Sequence, residues 1–263
     1  MRDCIKDKFR GFAPHFQPKL HVKSGNILSC EALMRWNLDG ENIEPSEFIP
    51  LAEESGLIIP LSIWMLEACC IFARQMSDTG IHCSIAINMS AQVILHENFL
   101  NILEDIVNKT GVDTRCIDIE IIEATLIDDV DKVNTVLEQL HAMGIEISVD
   151  DFGTGYSSLS YLNKMVVDRI KIDRSFVIKL NKSEEDRALV STIVTMGKAL
   201  HITVTAEGVE QLSEYQFLEE IGCDEIQGYL ISPTLDRNSF LEFIENWHST
   251  GLEQFIIKKN NFN

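Results

Sequence analysis

The stretch HFQPKLHVKSGNILSCEALMR, residues 15–35, decides the fold. Two strand-like runs, HFQPKLHV (15–22) and ILSCEALMR (27–35), are separated only by KSGN. A connection that short closes a hairpin, whereas a parallel crossover needs about a dozen residues. The first strand is therefore expected to run antiparallel to its neighbour.

Beyond residue 35 the pattern changes. Strand candidates CSIAINMS (83–90), CIDIEII (116–122), EISVDD (146–151), RIKID (169–173), TVTAEGV (203–209) and EIQGY (225–229) follow at intervals. Between and after them lie segments with apolar residues at helical spacing, at 63–76, 93–110, 131–144, 184–201, 213–222 and 239–248. Gly111, Gly144 and Gly222 read as helix stops. Eight strands alternating with helices over 263 residues predict an α/β fold, a TIM-like (β/α)8 barrel with its first strand antiparallel. An open doubly wound sheet is the alternative, but no GxGxxG follows the first strand. No linker or internal repeat divides the chain. Residues 1–263 read as a single domain with its core at about 12–245 and flexible ends, including a fraying tail at IIKKNNFN (256–263).

With 22 basic and 41 acidic residues the net charge is −19. Such a surface disfavours unspecific binding to nucleic-acid duplexes or anionic membranes. An anionic ligand would need a few local cations or metal ions to receive it. No run of roughly 18 apolar residues marks a membrane segment, and MRDCIKDKFRGF lacks the apolar core of a signal peptide. Seven cysteines without a CxxC pair suit reduced, mostly buried thiols in a cytoplasmic domain.

Polar residues interrupt the strands where patterning favours apolar ones: Glu31, Asn88, Glu120, Asp150 with Asp151, Lys171, Glu207 and Gln227. Taken singly, each has an ordinary explanation, such as a solvated strand face or a snorkelling lysine. In a barrel, however, residues at the C-terminal strand ends converge on one mouth. Five converging carboxylates repel one another and are costly to desolvate, and a pair of divalent cations resolves that cost. An oxygen-rich donor set without His or Cys suits Mg²⁺ or Mn²⁺ over Zn²⁺. Two metals about 3.5–4 Å apart need a bridging carboxylate, a role the adjacent Asp150 and Asp151 fit. Gly153 and Gly155 then let the following loop turn tightly over a ligand. Taken alone, DDFGTG fits a helix N-cap equally well.

The ordered set of motifs resembles the EAL phosphodiesterase family, whose members hydrolyse cyclic di-GMP. It comprises FQPKL around Gln17, EALMRW from Glu31, PSEFIPLAEESGLI (45–58), NMS (88–90), DDFGTGYSSLSYL (150–162), KIDRSFV (171–177), AEGVE (206–210) and QGY (227–229). The resemblance spans roughly residues 12–245. It implies a (β/α)8 barrel with an antiparallel first strand, and two Mg²⁺ or Mn²⁺ ions per site. Carried over by position, Glu31, Asn88, Glu120 and Asp150 would hold the first metal, and Asp150, Asp151 and Glu207 would serve the second. Lys171 would contact the attacking water, Asp151 would belong to the catalytic set, and Glu207 would be either a metal ligand or the general base. Gln17, Leu33, Arg35 and Gln227 would hold the nucleotide. Glu123, Gly153, Gly155 and Glu210 would shape or support the signature loop. The implied reaction is hydrolysis of cyclic di-GMP to linear pGpG by two-metal activation of water, in the bacterial cytoplasm, by a homodimer. Sensor or other domains would accompany the chain if it is a fragment.

Two departures from the family pattern stand out. Glu120-Ile121-Ile122-Glu123-Ala124 lacks two hydroxyl residues, and Ile231-Ser232-Pro233-Thr234 lacks a basic residue before proline. The competing readings are a cyclic di-GMP receptor without turnover and a regulatory interaction domain. An enolase-like metal barrel is more distant, because DDFGTGYSSL paired with AEGVE does not suit it.

Overall fold

A computed structural model describes residues 1–123, 130–154 and 165–260, with the side chains of 130, 250 and 253–260 outside the description. Helix α1 (Arg2–Lys6) precedes a hairpin of β1 (Phe12–His21) and β2 (Asn26–Leu38). The hairpin turn closes through Gly25, whose N–H donates to the His21 carbonyl at 2.9 Å, and whose φ of +69° suits a residue without Cβ. A short β3 (Glu41–Ile43) extends β2 on its outer edge, and helices α2 (Pro45–Glu54) and α3 (Ile58–Asp78) lead to β4 (Ser84–Asn88). Helices α4 (Ala91–Ile94) and α5 (Phe99–Thr110) precede β5 (Ile117–Ile122). Helix α6 (Val130–Ala142), β6 (Glu146–Phe152), β7 (Arg169–Ile172), α7 (Arg174–Val177), α8 (Glu184–Leu200), β8 (Thr203–Ala206), α9 (Leu212–Ile221), β9 (Glu225–Gln227) and α10 (Arg237–Asn260) complete the chain.

Strands β2 and β4 to β9 pair in parallel in sequence order, and β1 closes the barrel by pairing antiparallel with both β2 and β9. The short KSGN connection thus has the expected consequence. The hairpin register sets Gln17 opposite Glu31. The parallel registers set Asn88 beside Glu120 and Ile122 beside Asp150. Side chains alternate along each strand, so these registers fix which residues share a layer inside the barrel.

One expectation needs correction. The segment 93–110 forms two helices: α4 ends at Ile94 and α5 starts at Phe99, with His96 and Asn98 in the break. The tail is helical as far as Asn260, although Gly251 (φ 67°, ψ 171°) interrupts that last helix. One helix, α3, is long and apolar enough to cross a membrane by length and composition alone. Ten of its residues are buried in the protein, Leu61, Leu66, Cys69 and Cys70 among them, and it packs against β4 and α5 in the barrel's outer layer. The three glycine stops hold, with Gly111, Gly144 and Gly222 all at positive φ just beyond their helices.

The core has two parts. Aliphatic and aromatic side chains fill the space between strands and helices, where Phe16 packs on Phe72 with ring centroids 4.5 Å apart and the rings tilted by 41°. The barrel interior is polar. Ser29, Asp118, Ser148, Arg169, Thr205 and Glu225 are all buried. Arg169 Nε donates to Glu225 Oε2 at 3.1 Å, Arg169 also pairs with Asp118, and Ser148 Oγ donates to Asp118 Oδ2 at 2.7 Å. A TIM barrel is more often filled by branched aliphatics. Here a hydrogen-bonded ionic layer lies beneath the mouth.

Candidate active site

One layer above Arg169, two residues further along each strand, lies a second set of polar side chains. Glu31 from β2, Glu120 from β5, Asp150 from β6, Lys171 from β7 and Gln227 from β9 are the inward residues of that layer, joined by Glu207 just past β8. Lys171 is fully buried at their centre. Its Nζ lies 2.7 Å from Glu207 Oε1, 2.8 Å from Glu120 Oε2, 3.2 Å from Asp150 Oδ1 and 3.5 Å from Glu31 Oε2. Burial acts to neutralise the ammonium, but these four carboxylates outweigh it and hold its pKa well above the ordinary lysine value. The surface reading of Lys171 is thereby excluded.

Glu120 has no exposure at all. Its second oxygen, Oε1, accepts from Lys19 Nζ at 2.6 Å, and Lys19 is itself fully buried. Burial alone would raise the Glu120 pKa, yet Lys171 and Lys19 together hold it down at about 2. Glu207 has the opposite balance. Burial first, then the neighbouring Asp150 and Glu31, push it up to about 8 against the pull of Lys171. Burial likewise raises Glu31, Asp150 and Asp151.

Two carboxylate triads share this mouth. Glu31, Glu120 and Asp150 each bring an oxygen within 4.8 Å of the others, and so do Asp150, Asp151 and Glu207. Asp150 belongs to both. Along a regular strand Asp151 would face away from Asp150. It does not, because β6 carries an extra residue against β7 between Val149 and Phe152, and Asp151 takes a left-handed conformation with φ of +57°. Aspartate tolerates that region better than most residues, and a bulge of this kind re-aims a side chain. Beyond it, Gly153 (φ +97°) donates its N–H to Glu123 Oε2 at 3.1 Å, and Thr154 Oγ1 donates to the Asp151 carbonyl at 2.8 Å. Glu123 thus holds the start of the signature loop. Gly155 lies outside the described residues.

Asn88 Nδ2 donates to Glu31 Oε1 at 2.7 Å, which leaves its side-chain oxygen for other partners. Gln227 Nε2 donates to Glu31 Oε2 at 2.7 Å and to Gln17 Oε1 at 3.0 Å, and Gln17 Nε2 donates to the Ser232 carbonyl at 3.1 Å. The buried Gln227 Oε1 has no hydrogen-bond partner among the described residues. Two cavities open on either side of the carboxylates, and both are lined by Glu31 and Asp150. A mainly apolar cavity of about 320 Å³ includes Leu33, Arg35, Ile49, Ile58 and Met65. A polar cavity of about 240 Å³ includes Gln17, Arg174, Glu207, Glu210 and Gln227. Arg35 Nη2 donates to Thr234 Oγ1 at 3.0 Å, so the residue in the departing ISPT stretch holds an arginine rather than supplying one.

All the expected site residues among those described lie at this one mouth or, for Glu123 and Glu210, on its rim. Sequence reasoning missed Lys19, Asp118 and Arg169. Each stands two residues from a flagged position (Gln17, Glu120 and Lys171), so the strand alternation that exposed the first set also contained the second.

A barrel with an antiparallel first strand and two carboxylate triads at its mouth defines the class of fold and of candidate metal site. Comparison with known proteins narrows the class: the EAL domain family matches residues 3–234, and the chain belongs to it. The bifunctional diguanylate cyclase/cyclic di-GMP phosphodiesterase MucR of Pseudomonas aeruginosa is 37% identical over 229 residues, 86% of this chain and 33% of MucR. The cyclic di-GMP phosphodiesterase PdeR of Escherichia coli is 35% identical over 241 residues, 91% of this chain and 36% of PdeR. The chain therefore spans about a third of the length of these relatives. Among solved structures, the PaMucR phosphodiesterase in complex with c-di-GMP superposes with a TM-score of 0.86 at 35% identity, covering 91% of this chain and 98% of that one. An EAL domain protein from Listeria monocytogenes gives 0.80 at 26% identity, covering 92% and 96%.

Proposed function

We propose that the chain is a metal-dependent phosphodiesterase that hydrolyses cyclic di-GMP to linear pGpG. The observation that carries this reading is the pair of carboxylate triads joined by Asp150. Their donor set is all oxygen, as Mg²⁺ or Mn²⁺ prefer, and Asp151 adopts an uncommon backbone conformation to join it. The site therefore fits two divalent ions: Glu31, Asn88, Glu120 and Asp150 around one, and Asp150, Asp151 and Glu207 around the other. Such ions lower the pKa of a bound water and offset charge on the attacking and leaving oxygens.

The chain's own residues do the rest. Lys171 keeps its proton on Nζ and orients groups between the two triads. Lys19 fixes Glu120 from below through Oε1, so that Oε2 alone faces Lys171 and the mouth. Asn88 aligns Glu31 through Nδ2. Burial raises the Glu207 pKa, and the group must be free of a proton to become a ligand or a base. Arg35 and Leu33 line the apolar cavity, which suits a guanine with a phosphate at its edge. The unpaired Oε1 of Gln227 offers an acceptor to the ligand from the polar side. Gln17 holds Gln227 in that orientation.

A single domain over 1–263, a homodimer and companion domains belong to the same reading. The family match over residues 3–234 supports the single domain, and the chain's coverage of about a third of its relatives supports the companion domains. A cytoplasmic location is supported by seven free cysteines.

The test is incubation of the purified chain with cyclic di-GMP and Mg²⁺ or Mn²⁺, following pGpG. Metal-dependent turnover is expected. Binding without turnover at high protein concentration would instead make the chain a receptor.

A further inference from the structure

The polar cavity contains one basic side chain among its described lining residues, Arg174, against Glu31, Asp150, Glu207 and Glu210. Arg174 stands at the start of α7, directly after β7 and its Asp173. Its side chain is 58% exposed, and its Nη2 lies 2.6 Å from Glu210 Oε1, itself 40% exposed. The stem of Arg174 crosses Gly208. A Cβ built on Gly208 would sit 2.1 Å from Arg174 Cγ and 2.8 Å from its Cδ, and Gly208 has a φ of +68°. The glycine therefore has two reasons to lack a side chain: its own backbone, and the arginine laid across it. Arg174 is thus guided over the polar cavity rather than left to wander, and Glu210 is its present partner.

Resting on the phosphodiesterase reading, we infer that Arg174 is a second phosphate anchor, released from Glu210 to the phosphate that enters the polar cavity. A cyclic dinucleotide carries two phosphates, and the two cavities on either side of the carboxylates carry one arginine each, Arg35 and Arg174. A half-exposed ion pair such as Arg174–Glu210 is weak and easily exchanged. A phosphate replaces it with stronger, bidentate charge-assisted hydrogen bonds. The unpartnered Oε1 of buried Gln227, on the wall of the same cavity, independently points to a ligand there, and as an acceptor it suits a base or sugar donor beside the phosphate rather than the phosphate itself. Glu210 then acts as a competitor that sets how readily the anchor is surrendered.

The experiment measures kcat and KM for cyclic di-GMP with Mn²⁺, and binding of a phosphorothioate analogue of cyclic di-GMP. The proteins are the full chain and its Arg174→Ala, Arg174→Lys and Glu210→Gln variants. Arg174→Ala is expected to raise KM and the analogue's Kd about tenfold or more, with kcat within about twofold and an unchanged melting temperature. Arg174→Lys should recover part of the loss, and Glu210→Gln should tighten binding. Wild-type turnover with KM and Kd unchanged in Arg174→Ala would overturn this inference and leave the phosphodiesterase reading standing. A wild type that neither binds nor hydrolyses cyclic di-GMP would overturn both.

Discussion

At the scale of the residue, the site is a balance of five carboxylates against two buried ammonium groups. Glu120 receives both ammonium groups, one on each oxygen. Lys19→Ala would leave Glu120 Oε1 unpaired in a site with no water access and would open a void. We expect a loss of about 3–5 kcal/mol in unfolding free energy by urea titration; an unchanged midpoint would show that Lys171 alone suffices. Glu207 supplies a pH signature. Its pKa in the metal-free fold is about 8, against 4.5 ordinarily. Between those values the folded chain keeps a proton that the unfolded chain has released, so this group's contribution to stability falls as pH rises through that window. A divalent ion takes the place of that proton, and binding only the folded state it stabilises by mass action. Mg²⁺ should therefore raise the melting temperature more at pH 8 than at pH 6, and equal shifts would contradict the assignment. Most of this site was legible in the sequence because a charged residue in an apolar strand is conspicuous. Lys19 was not, because it follows a proline in a strand whose register only the closed barrel fixes. Nor was the conformation of Asp151: glycines downstream drew attention, while the aspartate itself makes the left-handed turn.

At the scale of the element, the hairpin was readable because its connection is too short for anything else. The break between α4 and α5 was not, because Val93 and Ile94 on one side and Leu100 and Leu103 on the other keep a helical apolar rhythm across it. Helix–strand contact has its own requirement at Gly197 in α8. A Cβ there would stand 2.3 Å from Val204 Cγ2 and 3.0 Å from the Ile202 carbonyl oxygen. Ala is the better helix former by about 1 kcal/mol, yet overpacking costs about 1–3 kcal/mol, and a 2.3 Å approach belongs at the upper end. Gly197→Ala should lower the urea midpoint with an unchanged m-value. A raised midpoint would mean that helix propensity outweighs the contact between α8 and β8.

At the scale of the whole molecule, a net charge of −19 and a phosphate-bearing ligand are compatible only if the charge at the mouth is locally compensated. The barrel does this in layers: an ionic network around Arg169 below, and above it a layer in which Lys171 stands among the two carboxylate triads while Lys19 pairs with Glu120. The central claim is that Asp150, the residue common to both triads, joins two divalent ions in hydrolysis of cyclic di-GMP. Its most direct test is the rate of pGpG formation with saturating Mn²⁺ by wild type and by Asp150→Asn, which keeps the side chain's size and removes its charge. Metal-dependent conversion by wild type is expected, with a rate at least about a hundredfold lower in the variant. An Asp150→Asn protein that turns over at a near-wild-type rate would contradict the claim.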